Sequence, residues 1–117
     1  MNTKKNARSQ EATSGVETGI IEAAISNDLD TVFHILGSNP EAVNEQNSYG
    51  VSPLMAAAGR GHLRTVKVLA SSPDVSWHLV DDIGRTALDY AYYHTEILEY
   101  LVSVQFGSID LSRPEVI

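Results

Sequence analysis

Few side chains in this sequence are equipped for chemistry at neutral pH. His34, His62, His78 and His94 supply every imidazole, and cysteine is absent, which removes thiolate nucleophiles, disulfides and cysteine-bound zinc together. No two histidines stand in the H-x-x-x-H spacing that sets two ring nitrogens on one helical face for a metal. Hydrogen bonds at turns and caps account for them more simply. Asp81 and Asp82 are adjacent carboxylates with no base or nucleophile at a recognisable spacing, so they read as turn formers. Gly59-Arg60-Gly61 lacks both the four-residue gap and the Lys-Ser/Thr that a phosphate-binding loop needs, and it reads as a helix turn. The expectation is no enzyme, no cofactor and no metal.

Charge narrows the partners. The net charge is −7, yet residues 1–8 carry Lys4, Lys5 and Arg8 and no acid, leaving five bases against fifteen acids, or −10, in residues 9–117. Such a field repels nucleic-acid backbones and favours a protein with a basic surface. A hydrophobic content of 43% across 117 residues supports one small packed domain and excludes a wholly disordered chain. No apolar run is long enough to span a bilayer and no secretory signal is visible, so a cytoplasmic setting is expected, although delivery by a specialised secretion system would leave the same composition.

The elements that would position any site repeat with a period of 34: Thr18, Ser52 and Thr86 are followed by Ile20, Leu54 and Leu88 and then by Ala23, Ala57 and Ala91. A hydroxyl residue before an apolar run is a helix N-cap, and Pro53 after Ser52 suits the first helical position. Ala23, Ala24, Ala57, Ala58 and Ala91 let neighbouring helices approach closely. A second stripe follows in each copy, namely Leu29, Val32 and Ile35, then Leu63, Val66 and Leu69, then Ile97, Leu98 and Leu101. Each copy therefore holds two helices, and the third is two residues short between Ala91 and Leu98. Asn39-Pro40 and Ser72-Pro73 stop the second helices, and Ala42 to Tyr49 and Asp74 to Ile83 are expected to run out and double back as projecting loops turning at Gly50 and Gly84.

The stretch Tyr49 to His62, YGVSPLMAAAGRGH, resembles the ankyrin-repeat signature G-x-T-P-L-H-x-A-A-x-x-G-H, with Met55 where that family usually has histidine. Gly84 to Ala91 is similar to a common variant, and Ala23 to Asn44 resembles the remainder of a first repeat. The resemblance implies an all-α fold: a short ankyrin-like solenoid of about three helix-turn-helix repeats with projecting hairpin fingers. The expected division is a polar arm over 1–17, a repeat domain over 18–104 in repeats of about 18–46, 47–80 and 81–104, and a tail or partial cap over 105–117.

Ankyrin proteins bind other proteins with fingers and inner helices, so the resemblance implies a non-enzymatic binding module. On that register the candidate contacts are Tyr49, Val51, Arg60, Trp77, Leu79, Ile83 and Arg85, with Trp77, the sole tryptophan, as anchor in an unusually apolar second finger. Tyr90, Tyr92 and Tyr93 form a secondary candidate patch. A narrower alternative is a small inhibitor or neutralising partner that caps an enzyme's active surface. The exposed ends of so short a stack also suit a homo-oligomer.

Overall fold

The computed structural model describes residues 19–107, and those residues form six α-helices and one 3₁₀ turn with no strand among them. The helices are α1 (Ile20–Ile25), α2 (Leu29–Ser38), α3 (Pro53–Arg60), α4 (Leu63–Ala70), α5 (Ala87–Tyr90) and α6 (Thr95–Phe106), and the 3₁₀ turn is Pro40–Asn44. They pair as α1 with α2, α3 with α4 and α5 with α6. The first helices line up as an inner row in which α3 packs on both α1 and α5, while α4 and α6 pack side by side in the outer row.

Local chemistry explains the helix starts. Ser52 caps α3 by accepting the Met55 N–H, with Pro53 in the first turn, and Thr86 caps α5 by accepting the Asp89 N–H while the Asp89 carboxylate accepts the Thr86 N–H in return. Met55 fills the position of the family's histidine with its own version of that exchange, its Sδ accepting the Ser52 N–H at 3.4 Å. Thr18, the expected third cap, lies outside the described residues, as do the arm 1–17 and the segment from 108. α1 starts from Gly19 without a side-chain cap. Asp28 caps α2 through the Thr31 N–H and hydroxyl, which hold its carboxyl below the usual carboxylate range.

Close packing of the inner row rests on small side chains. Ala23, Ala24, Ala57, Ala58 and Ala91 are each fully buried, and the Tyr90 ring lies so near Gly59 that a Cβ there would stand 3.0 Å from it. The larger core side chains, Ile20, Val32, Val66, Leu69, Ile97 and Leu101, pack around this spine. Burying them is the main stabilising term, at about 1.5–3 kcal/mol for each large aliphatic side chain.

One expectation needs correction. The first projecting loop does not leave the fold at Ala42: Pro40–Asn44 coil into the 3₁₀ turn and bury Ala42 and Val43, so the excursion begins at Glu45. α6 runs to Phe106 and stops at Gly107, which adopts a φ of +83°. The shortened third copy takes its deletion from its first helix, leaving α5 a single turn of four residues.

Candidate protein-binding surface

The two fingers are built by the same hydrogen bonds moved along by one repeat. In the first, the Asn47 N–H donates to the Val51 carbonyl and the Gly50 N–H to the Asn47 carbonyl; in the second, Asp81 N–H donates to Arg85 and Gly84 N–H to Asp81, all at 2.9–3.0 Å. The side-chain oxygen of the leading residue repeats the pattern too. Asn47 Oδ1 accepts the N–H groups of Tyr49 and Val51, and Asp81 Oδ1 those of Ile83 and Arg85. Gly50 and Gly84 take φ values of +80° and +85° to close these turns.

The fingers are also tied to each other. The Tyr49 carbonyl accepts the Asp82 N–H at 3.0 Å, and Gln46 Nε2 donates to the carbonyls of both Gly50 and Val80. At the roots, Asn44 donates to the Asp74 carbonyl and accepts the Ser76 N–H. A Cβ on Gly50 would stand 2.8 Å from the Asp81 Cα, so the fingers touch backbone to backbone there.

The second finger carries an extra clamp. The Asp81 side chain, only 2% exposed, accepts the Arg85 Nε–H at 2.7 Å and the Tyr90 hydroxyl at 2.6 Å through one oxygen, while the Arg85 guanidinium stacks over the Tyr90 ring 4.8 Å from its centroid. Burial alone would raise the Asp81 pKa. Hydrogen bonds from the Tyr90 hydroxyl, the Arg85 backbone and guanidinium and the Ile83 N–H more than offset it and hold the carboxyl well below its ordinary range. Burial, followed by its bond to Asp81, raises the Tyr90 hydroxyl in turn.

Two histidines serve the same framework. The His62 ring bonds the Ile25 carbonyl at 2.9 Å and the His94 ring the Gly59 carbonyl at 3.2 Å, each reaching back to the end of the preceding inner helix. Among the described residues no group of three His, Asp or Glu side chains is arranged to hold a metal ion, and no helix is long and apolar enough to cross a membrane.

A family model described as Ankyrin repeats (3 copies) matches residues 20–112. The chain belongs to the ankyrin-repeat family. Among solved structures, one match is a chain in the complex of Bd0816, a predatory endopeptidase from Bdellovibrio bacteriovorus, with immunity protein Bd3460. The TM-score is 0.67 at 33% identity, over 75% of this ankyrin-repeat chain and 46% of that chain. This chain therefore spans less than half the length of that neighbour. No curated protein matches the chain by sequence.

Of the residues that the ankyrin register singles out, Tyr49 and Ile83 stand at the two finger tips, 71% and 74% exposed. Arg60, at the end of α3, is exposed, and Arg85 is half-exposed and engaged by Asp81 and Tyr90. Val51 and Leu79 are partly buried. Trp77 does not project: it sits one repeat after the buried Val43 and packs partly buried against the core. Tyr92 and Tyr93 are exposed at the α5–α6 turn, edge to face at 4.9 Å, whereas Tyr90 belongs to the clamp. Sequence reasoning passed over Asn44, Gln46 and Asn47 as framework residues; the readable signal was the pair Asn47-x-x-Gly50 and Asp81-x-x-Gly84 at the repeat period.

Proposed function

We propose that this ankyrin-repeat chain is a non-enzymatic binding module that grips a protein partner across its inner helices and finger tips. Tyr49 and Ile83 make the leading contacts, Arg60 and Arg85 flank them, and Val51, Leu79 and Trp77 support the surface from beneath. One observation carries the reading. The two tips are equivalent positions of successive repeats, both large, apolar and exposed, and both sit on turns fixed by side-chain and backbone hydrogen bonds. A backbone fixed before binding loses little entropy on association, which suits the side chains it carries to anchor an interface.

The net charge of −7 favours a partner with a basic contact surface, whose association slows as salt rises. A second reading, that binding neutralises an enzyme, draws on the similarity to a chain from an endopeptidase–immunity protein complex. Titrating the captured partner against wild type and a Tyr49→Ala/Ile83→Ala double variant tests the first reading, with a loss of about 2 kcal/mol or more, roughly thirtyfold in Kd, expected. Equal affinities of two folded proteins would remove the tips from the interface. Assaying the Bd0816 endopeptidase with and without the chain tests the second, and an unchanged rate at saturating chain counts against it.

A further inference from the structure

The outer face of the stack holds an apolar groove that meets the second finger only at its root. Its lining includes Phe33 and Leu36 of α2, Pro40, Val68 of α4, and Pro73 and Asp74. Its volume is about 380 Å³.

Phe33 is the anomaly that draws attention to it. Counted from the N-caps Asp28, His62 and His94, the fifth residue of each outer helix is Phe33, Lys67 and Glu99. Two repeats place a charge where solvent meets the helix, and the first places a phenyl ring that is 57% exposed. A lone exposed phenylalanine is ordinary. Here, however, the ring lines a groove together with Leu36, Pro40, Val68 and Pro73.

Acids edge this groove. Asp74 lines it, Glu41 follows Pro40, and Asp30 lies one helical turn before Phe33 on the same face; all three are exposed. Against them stands Arg64, one turn before Val68, while the neighbouring Lys67 ammonium is directed to the Tyr100 ring, 5.6 Å from its centroid. The surroundings are therefore apolar at the floor and net acidic at the edge.

We propose that this groove is a second interaction surface, which takes from another protein a segment presenting large apolar side chains between Lys or Arg residues. The apolar groups seat between Phe33, Leu36 and Val68, and the bases face Asp30, Glu41 and Asp74. The site is independent of the finger tips.

The probe is a fluorescent peptide of about 15 residues with Leu at positions i, i+3, i+4 and i+7 and Lys elsewhere, beside a control of equal charge with Ser for Leu. The full chain is expected to bind the Leu/Lys peptide at least about tenfold more tightly than the control, since charge alone does not distinguish the two. Phe33→Lys, which installs the second repeat's residue at an exposed position, should abolish that preference while circular dichroism stays unchanged. Tyr49→Ala should leave it intact. Raising ionic strength from about 0.05 M to about 0.5 M should weaken binding several-fold. Equal binding of the two peptides, or a preference that survives Phe33→Lys, would overturn the proposal. So would a groove filled by other means: a dimeric solution mass that Phe33→Lys makes monomeric, or peptide binding that appears only after residues 1–17 are deleted.

Discussion

Replacing Trp77 by alanine separates an anchor from a structural wedge. The indole occupies the position that Val43 holds in the previous repeat, partly buried against the core, and it borders a small cleft with Leu54, Leu79, Leu88 and Gln105. Removing a fully buried tryptophan costs about 3–5 kcal/mol. Roughly half of that, about 2 kcal/mol, is the share for a ring that keeps part of its surface in water. In a domain of this size each kcal/mol moves Tm by roughly 4–8 °C, so Trp77→Ala should melt roughly 8–16 °C below wild type. Far-ultraviolet circular dichroism at matched pH and salt measures this. Because Trp77 is the only tryptophan, its emission in the wild type should also lie to the blue of the unfolded chain. An unchanged Tm together with a solvent-like emission maximum would refute the argument and return the ring to the binding surface.

Val66→Asp and Leu69→Asp each place an unpaired charge at a position with no solvent exposure in the central repeat, so either should abolish the cooperative helical transition seen by circular dichroism, since so few repeats unfold as one unit. Gly50→Ala would set a Cβ 2.8 Å from the Asp81 Cα at a φ of +80°, and neither backbone can give way cheaply; a loss of about 1–3 kcal/mol in denaturant titration is expected, with Gly37→Ala, where nothing lies within 4 Å, as the mild comparison. Since the Asp81 pKa is depressed on folding, its stabilising contribution is complete above the unfolded carboxylate value of about 3.9 and is lost as pH falls toward the folded value. Melting curves should therefore fall less steeply below about pH 4 for Asp81→Asn than for wild type, and because Asn47 plays the same role in the first finger, that variant should keep its turn at pH 7.

The parts of the fold that depend on local rules were legible in the residues. Ser52 and Thr86 precede apolar runs and cap helices, the alanines at the repeat period form the spine, and Gly50 and Gly84 close the finger turns. Contacts between repeats were less so. Nothing in the string around Trp77 says that the second finger's root lies against Leu54 and Leu88, and an apolar loop reads the same whether it faces solvent or folds inward. Pro40 reads as a stop, which it is for α2, but the same fixed φ also starts the 3₁₀ turn that buries Val43. For the candidate site, exposure at Tyr49 and Ile83 followed from their place at the turns, whereas the capture of Arg85 by Asp81 and Tyr90 needed the backbone to bring three separated residues together.

The shared hydrogen bonding of the fingers divides their residues by tolerance to change. Asn47, Gly50, Asp81 and Gly84 hold the turns through side-chain and backbone hydrogen bonds, while the side chains of Tyr49 and Ile83 take part in none of those bonds and are largely exposed. A library randomised at 49 and 83 alone would therefore vary what the surface recognises without asking the scaffold to refold, and natural drift at the same two codons would be free to follow a changing partner.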